Sequence, residues 1–424
     1  MSLPEPRDEQ SRVLPCHECD MVSAHDFHTT GWIECPRCQH PITHHTPKDT
    51  LTPALAMSAL VMLTLSLCFP YLGFEKSGIE RIMTINDASI ELATFDQPIL
   101  ALITLLTIVI LPGCYLLAIL FLHYALTMKR HASISKRLIQ ILPTIQPWMM
   151  ADVFVIAALV SLVKLVGMVE VKLFPSFWTF AAFAFLLLAT TLRVNSIQLW
   201  ERQLGTLQQP RDARPGHTSR SQNLSACHHC GQLQNCHNTH CIRCHHSLHE
   251  RAPLSLQRVI ALLLTATLFS IPAQSLPIMV TKALGKEDPA TIIAGAMLFL
   301  KHGDWPIALI IFTASVLIPF GKIMAIAWLC LATRRTSPMN MKTQMRLYRV
   351  TEWIGRWSMV DVFVIAIVVA MLQIGQILSV APGLGGIAFC GMVIFTMLAS
   401  HQFDPRLIWD NQGDNLKTQE SDVG

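Results

Sequence analysis

Eight cysteines in four Cys-x-x-Cys pairs are the residues here most able to do chemistry. Cys16, Cys19, Cys35 and Cys38 form the first set, with 15 residues between the pairs, and this spacing fits a four-thiolate zinc ribbon. Two tight turns each present two sulfurs, and a short hairpin fills the gap. Cys227, Cys230, Cys241 and Cys244 form a second set with only 10 intervening residues, fewer than is usual for this signature. Cys236 and the histidines 228, 229, 237, 240, 245 and 246 are competing donors there, with four sulfurs the preferred set. Zinc is the expected metal, with rubredoxin-like iron the alternative; disulfides fit a reducing cytoplasm poorly. A closed four-cysteine site leaves no open coordination position, so both ribbons are expected to be structural or partner-binding. Cys68, Cys114, Cys330 and Cys390 lie in apolar runs and read as small core residues.

A second group of candidates consists of polar residues inside apolar runs, where charge is costly and usually functional. Lys322 stands ten residues before the end of its run at Ala332, about 15 Å along a helix. It can snorkel toward water or reach Asp361, which begins the next run. Ser315 lies seven residues earlier on the same helical face, Ser358 one turn before Asp361, and Thr396 within the last run. Together they would make a polar track. Asp152 and Asp361 also suit a plainer role, capping a helix N-terminus. Lys164, deep in its own run, can pair with Glu170 or snorkel outward.

These residues must be positioned by membrane-spanning helices. Of the 424 residues, 52% are hydrophobic and 14% charged, and the mean hydropathy is +0.43. Eight apolar runs near 53–73, 98–126, 151–170, 177–199, 256–281, 305–332, 360–380 and 384–401 are long enough to cross a bilayer as helices. A polar, cysteine-rich segment precedes the first, so no cleavable signal peptide is expected. Segments 127–150 and 333–358 are rich in Lys and Arg, whereas 74–97 is acidic, which places both termini and both ribbons in the cytoplasm. The net charge of +4 then reflects topology and gives no sign of nucleic-acid binding.

The chain is written twice. "DVFVIA" occurs at 152–157 and again at 361–366, and Arg137, Trp148, Asp152 and Trp200 recur 209 residues later as Arg346, Trp357, Asp361 and Trp409. Pro70 and Pro112 match Pro277 and Pro319 at an offset of 207. Each half has four crossings, so the copies are parallel repeats. The expected organisation is a first ribbon (1–50), a four-helix module (51–200), a flexible linker (201–226), a second ribbon (227–252), a second module (253–410) and a tail (411–424). The fold class is an all-α polytopic membrane protein with two tandem modules, each preceded by a zinc ribbon. An amphipathic helix on the inner leaflet should precede each third crossing, around 134–145 and 345–357. Pro272 and Pro277 should kink and partly unwind the fifth crossing around Gln274 and Ser275. The copies have diverged: at the places of Lys322 and Ser358 the first half has Tyr115 and Met149, so the second module is the better candidate for a working site.

Two ribbon-plus-four-crossing copies, with "GRWSMVDVFVIA", "IPFGK" and "DPRLIWD", resemble the paraquat-inducible protein A family over nearly the whole chain. The resemblance implies an inner-membrane protein of Gram-negative bacteria that acts with an MCE-domain partner, whose rings form a tunnel across the periplasm. Loading or extraction of phospholipids at the inner membrane is the implied function. It also implies that Ser315, Lys322, Ser358, Asp361 and Thr396 form the transport network, with Lys164 its counterpart in the first module, and that the eight paired cysteines bind zinc. "QPWMMAD" before Asp152 and the short second ribbon depart from the pattern. No phosphate-binding loop or nucleophile elbow is present, and no enzyme activity is expected. A titrating Lys322/Asp361 pair would couple uphill transport to protons. Two rival functions are a passive scaffold for the partner and a cytoplasmic redox or metal sensor.

Overall fold

The computed structural model describes residues 11–26, 31–45, 49–76, 79–95, 97–129, 131–165, 170–210, 213–283, 286–301, 303, 305–334, 340–371, 373–374 and 378–410. The chain is mostly helical, with eight helices long and apolar enough to cross a membrane. In the first half they are Leu51–Cys68, Pro98–Thr127, Ala132–Val163 and Pro175–Arg193; in the second, Ser255–Ser275, Thr313–Ala332, Met341–Met371 and Leu384–Gln402, the apolar parts of the two third crossings being Ala151–Leu165 and Val360–Met371. Within each half the first and fourth crossings pack along their length. Amphipathic helices at Ala132–Ile145 and Met341–Trp357 lead into the two third crossings.

Several runs stop being helical sooner than their hydropathy suggests. Leu72–Lys76, Ile79–Met83 and Glu170–Leu173 form an antiparallel three-stranded sheet, and Met279–Ala283, Lys286–Ala290, Gln373–Ile374 and Leu378–Pro382 a four-stranded one. Leu72 pairs with Leu173, and Met279 pairs with Pro382 at the matching place in the second half, so the sheets are duplicated too. They cover the face opposite the ribbons. The fifth crossing stays helical through Pro272 to Ser275 and ends at Leu276, whose extended backbone suits the residue before Pro277. The unwinding expected around Gln274 is therefore not observed.

A shared irregularity marks the second crossing of each half. Leu106–Ile110 and Thr313–Leu317 are single π turns immediately before Pro112 and Pro319. A proline ring clashes with the carbonyl four residues earlier and donates nothing. Widening the turn removes the clash, and such bulges are frequent at functional sites.

The two halves meet along the repeated string. Phe154 and Phe363, 209 residues apart, contact each other edge to face with ring centroids 5.8 Å apart. Equivalent residues touch each other only near a symmetry axis, so the third crossings line the pseudo-twofold between parallel repeats. Every residue of Val360–Met371 except Asp361 is buried. An all-apolar helix belongs in such a place.

Each ribbon covers the module it does not precede. The first, with strands Ser11–Pro15, Val22–Asp26, Gly31–Glu34 and Pro41–His45, shares an apolar core with Ile326, Leu329, Met345, Tyr348, Phe403 and Trp409 of the second module. The second shares one with Leu122, Ile139, Leu199 and Trp200 of the first. Arg37 in the first ribbon stacks on Trp409 at 4.3 Å, and Arg243, in the same place in the second, donates to the carbonyl of Trp200 at 3.4 Å. In place of a flexible linker, a helix runs through Ser196–Leu204, and Ala213 is fully buried against Val13, Val22, Ala226 and Leu233. Gly216 N–H donates to the Val22 carbonyl at 2.8 Å, and Val22 N–H to His217 at 2.9 Å. The linker thereby ties the two ribbons together.

Candidate metal centres and a polar cleft

In both ribbons the turn residue after the first Cys-x-x-Cys of the pair, or after the second, carries a backbone N–H that bonds back to a cysteine carbonyl. Asp20 reaches Cys16 at 3.0 Å, Gln39 reaches Cys35 at 2.9 Å, Gly231 reaches Cys227 at 2.9 Å and His245 reaches Cys241 at 2.9 Å. Asp20, Gln39, Gly231 and His245 all have positive φ near +60 to +70°. These turns aim two sulfurs inward from each pair. The Sγ separations are 3.6 Å for Cys16–Cys38, 3.5 Å for Cys19–Cys35, 3.5 Å for Cys227–Cys244 and 3.6 Å for Cys230–Cys241. Tetrahedral coordination with metal–sulfur bonds of about 2.3 Å places sulfurs about 3.8 Å apart, so each cluster can hold one metal ion. All eight thiols are buried. The short second spacing is no obstacle, and among the described residues neither Cys236 nor any histidine joins that cluster.

Charges secure the ribbons. Glu18 accepts from Arg349 and lies 3.0 Å from His40. Burial would raise its carboxyl pKa, but those partners hold it below the usual range. His17 and His228 meet where the ribbons touch, centroids 5.7 Å apart, and burial pushes their pKa values down to about 4 and about 3. Neutral rings can share that contact without repulsion. Asp404 and Arg406 of "DPRLIWD" form a buried two-bond pair at 3.0 and 2.9 Å, and Asp404 also accepts from Ala252 N–H at 3.0 Å. The motif thus fastens the end of the last crossing to the start of the fifth.

The intramembrane candidates are distributed unevenly. Lys322 is 3% exposed, and among the described residues its Nζ has no hydrogen-bond partner. Neither snorkelling nor a direct Lys322–Asp361 pair is observed. Ser315 is buried inside the π turn of the sixth crossing. Ser358 is buried with its hydroxyl unpartnered among the described residues, and Thr396 is buried and donates to the Val393 carbonyl at 2.8 Å. Asp361 lies in the first turn of the seventh crossing and is half-buried. The helix backbone carries Lys164, but its side chain lies outside the described residues.

Asp152 has a partner the sequence did not suggest. Both its oxygens accept from Arg356 Nη2 of the other half at 3.1 Å, and the same nitrogen donates to the Met149 carbonyl at 3.2 Å. Pro147 occupies the place of Arg356 in the first half, so the reciprocal pair to Asp361 cannot form. The π turns differ in the same sense. In the first module Met150 N–H bonds the Thr107 carbonyl freed by the π turn, at 3.2 Å, whereas Met359 N–H, its counterpart, goes to Arg356 at 3.3 Å. The second module is the one less sewn up around its π turn.

Lys322 looks into a cleft of about 420 Å³ on the ribbon face. Its walls come from the first ribbon (Glu18, His40), the first module (Pro143, Gln146, Pro147) and the second (Arg349, Glu352, Gly355, Ser400, His401). Ser315, Ser358, Asp361 and Thr396 do not line it. Sequence reasoning missed Gly355, Arg356 and His401 as site residues; the only available signal was that Gly355 and Arg356 belong to the string "GRW" next to Ser358.

The family model for paraquat-inducible protein A matches residues 50–203 and 256–413, one stretch per module. The chain belongs to the paraquat-inducible protein A family. Its relatives in that family include the intermembrane transport protein PqiA of Escherichia coli, 34% identical over 95% of this chain and 96% of the relative. A probable intermembrane transport protein of Haemophilus influenzae is 28% identical over 94% and 96% of the two chains. Lipophilic envelope-spanning tunnel protein A of Escherichia coli is 28% identical over 96% and 92%. No solved structure matches the chain. The residues matched by the paraquat-inducible protein A family model cover both four-helix modules and lie outside the two cysteine ribbons.

Proposed function

We propose that this protein moves phospholipids at the bacterial inner membrane, delivering them to or taking them from an MCE-domain tunnel protein that spans the periplasm. The observation that carries the reading is Lys322: a buried amine, without a hydrogen-bond partner among the described residues, inside an apolar helix and facing a cleft between two modules. Structure alone rarely retains such a group, because an ionisable side chain within a membrane-spanning helix is costly to bury. Relatives over nearly the full length are named for intermembrane transport, which supports a transport role between membranes. On this reading Lys322, Ser315, Ser358, Asp361 and Thr396 form the working track of the second module. Asp152 braces the modules through Arg356, and Lys164 is a remnant of the first copy's site. The ribbons lie in the cytoplasm, each holding one structural zinc, and the two sheets lie on the periplasmic side where the partner docks. No catalytic step is assigned to any residue.

The test is mass spectrometry on the protein extracted gently from its native membrane, detecting proteins, lipids and metal together. An MCE-domain protein and enriched phospholipid are expected with two zinc ions. Zinc without partner or lipid would overturn the transport reading in favour of a sensor.

A further inference from the structure

We infer that the cleft on the ribbon face is a binding site for the phosphate anion of a phospholipid headgroup, with Lys322 as its principal ligand and Gly355 as the residue that makes room for it. The inference deepens the transport reading and rests on it for the lipid source of the phosphate.

Arg349, Arg356 and Glu18 in the cleft already have partners. Arg349 is held by Glu18 and by the Cys38 carbonyl at 2.9 Å; Arg356 by Asp152 and Met149; Glu18 also by His40. Glu352 also lines the cleft, 3.9 Å from His401, a contact that is ionic only when the ring is protonated. Two donor atoms remain without an acceptor among the described residues, Lys322 Nζ and the Nε of the Arg356 guanidinium already paired with Asp152, from adjoining helices that both line the cleft. An anion in the cleft would supply the missing acceptors, and a phosphodiester offers charge and several acceptor oxygens. A volume of about 420 Å³ falls in the range of small-molecule sites, roughly 300–1,000 Å³.

Gly355 shows that the place of the ammonium is built. A Cβ on Gly355 would stand 2.5 Å from Lys322 Nζ and 3.2 Å from its Cε, so any larger residue displaces the lysine end. The depth favours a headgroup over a free ion. Pro143, Gln146 and Pro147 end one amphipathic helix and Trp353 sits 64% exposed on the other, so the cleft opens where headgroups lie.

The experiment titrates the full-length protein, in neutral-detergent micelles, with dioctanoyl phosphatidylglycerol, dioctanoylglycerol and inorganic phosphate, reading adducts by native mass spectrometry. Retention of two metal ions reports folding in every variant. Wild type should bind phosphatidylglycerol and not dioctanoylglycerol. Lys322→Met and Gly355→Ala should each weaken binding at least tenfold, while Gly295→Ala, where a Cβ meets nothing within 4 Å, should bind as wild type. Wild-type binding by both Lys322→Met and Gly355→Ala, or equal binding of dioctanoylglycerol, would overturn the site. Inorganic phosphate binding as tightly as the lipid would overturn the headgroup assignment. Normal lipid transfer by Gly355→Ala despite lost binding would refute this inference alone. Intact binding without any transfer by wild type would refute the transport reading and leave the site standing.

Discussion

Because each ribbon rests on the module it does not precede, disrupting the first metal centre should loosen the second half of the chain. Cys35→Ser removes one of four thiolates from a unit too small to hold a core without its metal. The undocked ribbon would release the Glu18–Arg349 pair and the stacking of Arg37 on Trp409. Arg349 is 32% exposed, so its charge-assisted bonds are discounted to about 1.5 kcal/mol. The cation–π contact contributes about 1 kcal/mol. Losing both corresponds to local opening roughly 50- to 100-fold more frequent, at 1.4 kcal/mol for each factor of ten. Amide hydrogen exchange followed by mass spectrometry should show this acceleration in 323–332, 341–349 and 403–410. Segment 122–139, under the second ribbon, should change far less, and Cys241→Ser should give the opposite pattern. If Cys35→Ser accelerates exchange in 122–139 as much as in 323–332, the crossed arrangement is wrong.

Asp404→Asn breaks a buried pair and should cost about 3–5 kcal/mol, read as a lowered Tm in micelles. Burial would push the Asp404 carboxyl up, but Arg406 and two backbone N–H groups hold it below the usual range. Its folded pKa is depressed, so its contribution is complete above about pH 4 and is lost as pH falls through the depressed value; Tm should show no loss from this group between pH 8 and 5. Phe363→Ala, at the pseudo-twofold, should cost about 3–5 kcal/mol, with about 0.5–1.5 kcal/mol of coupling to Phe154→Ala in a double-mutant cycle. Arg356→Gln, whose ion pair is about a third exposed on each side, should cost no more than about 1 kcal/mol in the same unfolding assay. If transport is proton-coupled through the polar track, neutralising Lys322 and Asp361 together should abolish the pH dependence of lipid movement, measured between labelled and unlabelled vesicles.

The helical framework was legible because eight long apolar runs leave few alternatives in a bilayer. Their ends were not. "LPIMVTKA" and "LSVAP" are apolar and β-branched, and hydropathy cannot tell a short strand from the last turns of a helix. Pro277 was the available clue, since the residue before it is biased away from helix. Both ribbons were readable from Cys-x-x-Cys pairs, and the short second spacing proved harmless because its turns supply the same backbone bonds. Which module each ribbon covers was hidden, since the docking residues, such as Arg37 and Trp409, are far apart in sequence and individually ordinary. Asp152 illustrates the same limit: as a helix-start carboxylate it read as a cap, and its arginine lies 204 residues away. Lys322 stood out because a lysine in an apolar helix needs a reason. Gly355, which gives it room, carried no sequence signal of its own.

The central claim is that the second module moves phospholipid through a track that depends on Lys322. The most direct measurement is the rate at which isotope-labelled phospholipid passes between two membranes containing the full-length protein and its MCE-domain partner, comparing wild type with Lys322→Met. The account predicts at least a tenfold slower rate for the variant, with both metal ions and partner binding retained. An unchanged rate in a folded, partner-bound Lys322→Met protein would contradict it and favour a passive scaffold.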